Sequence, residues 1–184
     1  MKKPIIINLS GGPGVGKSTL ALEITTKLKK EGYNVEFVFE HAKDLTHSER
    51  WNCLSNQLFV FAEQYRRIEI LKNYDYIIVD SPLLLSAVYN DIYNNQPYQK
   101  ELDALILTIH NDSNFININF VIKRNPSFIY NEMGRNQKLE EAKKIDETVE
   151  NKYIDNNINY KPIISGEEAF KEIMKDIHKM ESEK

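Results

Sequence analysis

The sequence contains few of the residues that form covalent or metal cross-links. Cys53 is the only cysteine among 184 residues, which excludes an internal disulfide and a cysteine-based zinc cluster. The four histidines show no metal-ligand spacing. No apolar run approaches the length of a membrane span, and the run that follows Met1-Lys2-Lys3 is too short for a signal peptide. We therefore expect no membrane contact.

Neither sign of charge dominates the chain. Lysine and arginine number 24 against 27 aspartates and glutamates, and the net charge of −3 excludes a strong attraction of the whole protein to nucleic acid. The hydrophobic fraction of 41% is ordinary for a soluble protein. No repeat, linker or low-complexity tract divides the sequence. A chain of this length can bury a sizeable core, so we expect one domain over residues 1–184.

Glycine is scarce, but four of the seven glycines lie in one stretch. This stretch fits the pattern G-x-x-x-x-G-K-[ST] and reads Gly11-Gly12-Pro13-Gly14-Val15-Gly16-Lys17-Ser18. An apolar run precedes it, and a helical pattern follows from Thr19 to Lys30, which is the context that the pattern requires. Such loops surround phosphates with backbone N–H groups, while the lysine reaches the outer phosphates and the serine ligates Mg²⁺. The stretch from Gly11 to Thr19 therefore predicts a nucleoside triphosphate site.

Strand and helix patterns alternate along the rest of the chain. The predicted strands are Pro4–Ser10, Asn34–Phe39, Tyr76–Val79, Ile116–Ile122 and Pro162–Ile164. One long helix is predicted near Glu49–Lys72 from apolar residues spaced three and four apart, with Trp51 in the core. His41, in the polar stretch before this helix, is expected at the surface. The alternation predicts a three-layer α/β fold with a parallel sheet.

Charged residues at strand ends are candidates for chemistry, since parallel sheets bind ligands at the carboxyl ends of their strands. Asp80 closes an apolar strand and is the expected Mg²⁺-organising carboxylate. Glu40 ends the neighbouring strand and could take a proton from an attacking hydroxyl. Asp44, one helical turn further, could bind a ribose or a second metal. Arg124 follows the fourth predicted strand and joins this group.

Two further groups of polar residues are candidates for binding. Arg124 and Arg135 bracket an aperiodic segment. The stretch Lys123–Lys138 around it contains four basic residues and one acidic residue, which favours a lid over the phosphates at about residues 124–138. Gln57, Gln64 and Arg67 lie on one flank of the long helix. They could line an acceptor pocket, because a glutamine amide can pair with a base edge. An ordinary solvated helix flank explains the same pattern.

These motifs together resemble the P-loop kinases of the nucleoside and nucleotide kinase group. Gly11–Ser18 matches Walker A, and Ile77-Ile78-Val79-Asp80 matches Walker B. Three segments are similar to a small AAA-type ATPase/kinase family of phages and bacteria, itself similar to the nicotinamide riboside kinase domain: Glu40-His41-Ala42-Lys43-Asp44, Asp80-Ser81-Pro82 and Gly134-Arg135-Asn136-Gln137. Deoxynucleoside kinases have Glu-Arg-Ser where this chain has Asp80-Ser81-Pro82, so their nucleobase pocket is not carried over.

The resemblance implies a five-stranded sheet in the order 2-3-1-4-5 and a phosphotransferase that depends on ATP and Mg²⁺. Its acceptor would be a nucleoside, a nucleotide or a related base, and the protein would work in the cytoplasm, the host's if a phage encodes it. The implied catalytic residues are Lys17, Glu40, Asp80, Arg124 and Arg135, with Ser18 and Asp80 as metal ligands. Two alternatives remain open: a kinase for a modified base in DNA, such as 5-hydroxymethyluracil, and a P-loop ATPase or switch without an acceptor. Homodimerisation is also open.

Overall fold

The computed structural model describes residues 3–93, 97–131 and 137–182. The strands are β1 (Ile5–Ser10), β2 (Val35–Val38), β3 (Tyr76–Val79), β4 (Ile116–Lys123) and β5 (Lys161–Ile164). The helices are α1 (Lys17–Lys30), α2 (His41–His47), α3 (Trp51–Leu54), α4 (Gln57–Glu69), α5 (Leu83–Tyr93), α6 (Gln99–His110), α7 (Leu139–Asp155) and α8 (Glu167–Ser182). In these ranges, no helix combines the length and the apolar character needed to cross a bilayer.

The five strands form one parallel sheet in the order β2-β3-β1-β4-β5, which confirms the predicted topology. β1 lies at the centre, where Asn8 pairs with Val79 of β3 and Ser10 pairs with Val121 of β4. Because all strands run in one direction, their carboxyl ends meet at a single edge of the sheet. The glycine loop leaves the sheet at this edge.

Helices cover both faces of the sheet, and the alternating side chains of β1 show why. Ile5, Ile7 and Leu9 point to one face and join a buried cluster with residues of α1 and α8. Ile6 points to the other face and joins a second cluster built from α4, α5, α6 and α7. The predicted three-layer α/β architecture is therefore confirmed. Apolar burial on both faces is the main stabilising contribution to such a fold.

The long helix predicted near Glu49–Lys72 is wrong, because the chain breaks between α3 and α4. Asn56 has non-helical backbone angles, and its side-chain oxygen accepts a hydrogen bond from the Phe59 N–H at 3.2 Å, so it caps a new helix. Asparagine competes with helix hydrogen bonds in this way. The break leaves Trp51 48% exposed rather than in the core. His41, expected at the surface, is instead buried at 9% exposure.

Replacing the cap tests the break between α3 and α4. Asn56→Ala removes the acceptor for the Phe59 N–H and is expected to lower the free energy of unfolding by about 1 kcal/mol. Urea unfolding followed by circular dichroism measures this change. Asn52→Ala is the matched control, because Asn52 lies exposed inside α3 and should tolerate alanine. An equal loss in both variants would contradict the capping role.

Candidate functional site

The glycine loop between β1 and α1 adopts a backbone that only glycine accommodates easily. Gly14 and Gly16 have φ values of 77° and 94°, in the left-handed region. A Cβ on Gly11 would lie 2.8 Å from the Ile122 carbonyl oxygen of β4. α1 begins directly after the loop with no acidic residue in its first turn, so its N-terminal N–H groups favour an anion. The loop thus has the geometry of a phosphate site.

Lys17 lies over this loop. Its Nζ atom donates to the carbonyl oxygens of Gly11 and Gly12 at 2.8 and 3.0 Å. These contacts keep the ammonium beside the glycines, where a polyphosphate would meet it. Thr19, the last residue of the predicted triphosphate site, lines the same cavity as Lys17 and Ser18.

Ser18 and Asp80 form the contact that joins the loop to β3. The Ser18 hydroxyl donates to Asp80 Oδ2 at 2.6 Å, and Asp80 is only 1% exposed. In the described part of the chain, Asp80 Oδ1 is buried without a hydrogen-bond partner. Mg²⁺ prefers oxygen ligands and is usually held by one or two protein groups plus phosphates and waters. The two side chains therefore fit a magnesium ion, as predicted for them.

Glu40 and Lys43 approach the loop from α2. Glu40 precedes the first turn of α2 and forms part of the cavity wall. Burial raises the pKa of its carboxyl, which the nearby charge of Lys17 opposes and that of Asp80 reinforces. Lys43 Nζ donates to the Ser18 hydroxyl at 3.1 Å. Lys43 was given no role from the sequence, although its spacing of three from Glu40 places both on one side of a helical turn.

A cavity of about 400 Å³ extends from the loop to α5. Part of it, which we call the uncharged wall, is formed by Leu54, Gln57, Val60, Leu85, Ser86, Tyr89 and Tyr93. Gln57 Nε2 donates to the Leu54 carbonyl at 2.9 Å, and among the described residues its Oε1 is buried without a partner. Burial raises the pKa of both tyrosines, and the charge of Glu40 adds to this for Tyr89, so their phenols stay protonated. The tyrosines were not candidates in the sequence analysis.

Three predicted acceptor residues lie elsewhere. Asp44, Gln64 and Arg67 are absent from the described residues that line the cavity. Arg67 bonds to Asp44 Oδ2 at 2.6 Å and to His41 Nδ1 at 3.1 Å, while Gln64 Oε1 accepts from the His41 N–H at 3.0 Å. Burial, followed by the charge of Arg67, lowers the pKa of His41. The cluster joins α2 to α4, and the cavity gives no support to the predicted binding roles of these three residues.

Arg124 leaves β4 and contacts the glycine loop. Its guanidinium donates to the Pro13 carbonyl at 2.8 Å and to both oxygens of Asp146 at 2.9 and 3.2 Å. Asp146 also accepts from the Gly12 N–H at 3.0 Å. Asp146 was not a candidate in the sequence analysis, because on an amphipathic helix it resembles an ordinary polar position. Arg135, within the part of the predicted lid that spans 132–136, lies outside the described residues.

Because Asp80 Oδ1 has no partner among the described residues, replacing Asp80 should affect thermal stability and magnesium binding differently. Asp80→Asn removes a buried negative charge but keeps an acceptor for the Ser18 hydroxyl, so the melting temperature without ligand should stay equal or rise. Magnesium-dependent ATP binding should be lost, because the anionic oxygen is gone. Calorimetric titration with and without Mg²⁺, beside a thermal melt, measures both. A collapsed melting temperature would make Asp80 a structural residue.

Solved structures of one enzyme share this fold. They are of a deoxyadenosine kinase from M. mycoides, and the match covers 95% of this chain and 100% of that chain in both cases. The structure with the products dCMP and a flexible dCDP bound is 18% identical, with a TM-score of 0.60. The structure with bound dATP is 19% identical, with a TM-score of 0.59. At this identity the likeness shows the common fold.

Curated relatives share a shorter segment. DNA repair protein RadA from Streptococcus pyogenes serotypes M1, M6 and M18 is 30% identical over 118 residues, which are 59% of this chain and 26% of those proteins. The chain thus spans about a quarter of the length of these relatives.

A family model described as an AAA domain matches residues 6–169, which is most of the chain. The matched region holds the glycine loop, Glu40, Asp80, Arg124 and Asp146. It confirms the resemblance to AAA-type P-loop proteins that the motifs indicated, and the solved structures add a shared fold. The protein therefore belongs to this AAA-domain family.

Proposed function

We propose that the protein is a kinase that depends on ATP and Mg²⁺ and phosphorylates the hydroxyl of a nucleoside-like molecule. One observation carries the proposal: a single cavity is lined both by the phosphate loop and by a separate uncharged wall, with Glu40 also in its lining. A protein that only hydrolyses ATP needs no such second pocket. At about 400 Å³, the cavity is within the range of small-molecule sites.

The composition of the uncharged wall supports a nucleoside rather than a nucleotide as acceptor. Binding an acceptor phosphate would call for arginine or lysine on the wall that faces it. Of the described residues that line the cavity, Lys17 and Lys43 are the only lysines or arginines, and both lie at the loop: Lys17 contacts its carbonyls, and Lys43 contacts Ser18. The wall instead offers two protonated tyrosines and the side-chain amide of Gln57. These groups suit a flat, neutral heterocycle that donates a hydrogen bond.

In the proposed reaction, the acceptor oxygen attacks the γ-phosphorus of ATP. The O–H proton passes to the Glu40 carboxylate, the new P–O bond forms, and the bond to the bridging oxygen breaks to leave ADP. Lys17 balances charge on the phosphates, and Lys43 adds a second cation from the side of α2. Ser18 and Asp80 would hold Mg²⁺, which would neutralise charge on the phosphates. Arg124, which is paired with Asp146, donates to the Pro13 carbonyl of the loop.

The raised pKa of Glu40 suits a general base, because proton transfer is most effective when the pKa of the base lies near the working pH. A solvated glutamate would be ionised at neutral pH but weakly basic. Burial raises the pKa of Glu40, and the charge of Lys17 opposes this shift. We also propose that residues 1–184 form one domain and that residues 124–138 or so act as a lid over the phosphates.

The rival function is a P-loop ATPase or switch without an acceptor, for which a phosphate loop with a magnesium site is sufficient. A screen of nucleosides, nucleotides and duplex DNA for acceptor-dependent ADP release, with mass spectrometry of the product, separates the two. A kinase releases ADP faster when its acceptor is present, and the product gains one phosphate. Hydrolysis that no acceptor stimulates would favour the ATPase. Phosphorylated DNA would favour the modified-base kinase, against which the net charge of −3 argues.

Glu40→Gln tests the base. The variant keeps the size of the side chain but cannot take the proton, so transfer should fall by at least ~10²-fold with little change in ATP affinity. Single-turnover phosphorylation and calorimetric titration measure the two quantities. Glu36→Gln on β2 is the matched control, because Glu36 contacts Lys29 and lies outside the cavity. Transfer at the parental rate in Glu40→Gln would remove the base role.

The pH dependence of transfer follows from the same shift. Because burial raises the pKa of Glu40, its carboxylate is lost as the pH falls through that raised value. As the pH is lowered, the rate of the parent protein should therefore begin to decline at a higher pH than it would if the base were a solvated glutamate. The residual rate of Glu40→Gln should lack this decline. A shared acid limb in both proteins would assign the titration to another group.

A further inference from the structure

A carboxylate on α7 contacts the phosphate loop without lining the cavity. Asp146 Oδ1 accepts the Gly12 N–H at 3.0 Å and Arg124 Nη2 at 3.2 Å, and Oδ2 accepts Arg124 Nε at 2.9 Å. The same Nη2 donates to the Pro13 carbonyl at 2.8 Å. One ion pair thus binds an N–H and a C=O of consecutive loop residues.

The glycine at position 12 is explained by this contact. Gly12 is not among the glycines with positive φ, so its backbone conformation does not demand glycine. A Cβ there would lie 2.2 Å from Asp146 Oδ1 and 2.8 Å from the Ala142 carbonyl oxygen. Any side chain would therefore push α7 away from the loop. The glycine at position 12 is therefore required by the close packing of α7 against the loop.

The charges in this contact are balanced. A lone carboxylate beside a polyphosphate site would repel the ligand, but the Asp146 carboxylate faces the Arg124 guanidinium in a two-bonded pair. Both side chains are mostly buried, at 17% and 18% exposure, so solvent screens the pair little. The guanidinium also lies 5.3 Å from the centre of the Tyr130 ring. Arg124 is thus restrained from three sides.

We propose that Asp146 is a positioning residue for nucleotide binding: it holds the loop at Gly12 and fixes the guanidinium of Arg124 against Pro13. Asp146 itself touches no phosphate. The inference rests on the proposed function only in that the loop binds ATP, and it requires no transfer to an acceptor.

Two substitutions separate the two tasks of Asp146. Asp146→Ala removes both the Gly12 contact and the Arg124 contact. Asp146→Asn keeps an oxygen for the Gly12 N–H but turns an amide NH₂ toward Arg124. Glu147→Gln is the matched control, because it makes the same charge change at the next residue of α7, which is exposed. Affinity for a non-hydrolysable ATP analogue with Mg²⁺ is measured by calorimetry on the folded full chain.

Asp146→Ala should bind the analogue at least ~10-fold more weakly, since hydrogen bonds to charged groups typically have about that effect. Asp146→Asn should show an intermediate loss, and Glu147→Gln none. A double-mutant cycle with Arg124→Gln should show coupling, so that the Asp146→Asn, Arg124→Gln protein loses less than the two single losses combined. A purely structural role would lower the melting temperature without these losses in affinity.

Parental affinity in both Asp146 variants would overturn the proposal, as would full additivity in the cycle. If Asp146→Ala fails to fold, the isosteric Asp146→Asn and the cycle decide alone. If the parent protein binds the analogue but phosphorylates no acceptor, the proposed kinase function is wrong. The affinities of the Asp146 variants then still decide the positioning role of Asp146. A parent that binds no analogue would overturn both.

Discussion

Parallel pairing of β1 with β3 on one side and with β4 on the other is the constraint on which the site depends. The register that sets Asn8 beside Val79 brings Asp80 to the edge of the sheet where the glycine loop lies. There Asp80 accepts a hydrogen bond from the hydroxyl of Ser18, in the first turn of α1. The register that sets Ser10 beside Val121 brings Arg124 to the same edge. A slip of one residue would turn these side chains to the other face of the sheet and separate the cation ligands from the phosphate loop.

The sequence predicted those parts of the site that local patterns specify. The glycine spacing, the apolar strand before Asp80 and the strand–helix alternation each lie within a short window, so the loop and the parallel sheet followed from them, whereas the strand order came from the resemblance to P-loop kinases. The break at Asn56 did not, because the helical spacing of apolar residues continues across it and only the cap to Phe59 marks the new start. Asp146 and Tyr89 were missed for a different reason. Asp146 contacts Gly12 and Arg124, and Tyr89 shares a cavity with the glycine loop, only because packing brings distant segments together.

Electrostatics at the loop involve two acids, the partly buried Glu40 and the buried Asp80. Glu40 lies near two cations, Lys17 and Lys43, and near a second acid, Asp80, and its shift in pKa reflects the competition among them. Had Glu40 been fully exposed, water would have kept its basicity low. Had it been paired directly with a lysine, the pair would have held it ionised and weakly basic. Glu40 has no direct lysine or arginine partner among the described residues, and this arrangement leaves a carboxylate able to take a proton.

Two buried acceptor oxygens at the site lack a hydrogen-bond partner among the described residues. Asp80 Oδ1 stands beside Ser18 at the phosphate loop, and Gln57 Oε1 belongs to the uncharged wall; neither has a partner among the described residues. The Gln57 amide cannot simply be reversed, since its Nε2 already donates to the Leu54 carbonyl. A buried acceptor left unpaired typically costs about 1–3 kcal/mol, so a fold that keeps two of them is less stable alone than it could be. In the proposed kinase, Mg²⁺ would meet the first oxygen and an N–H or O–H of the acceptor would meet the second, which would offset this cost.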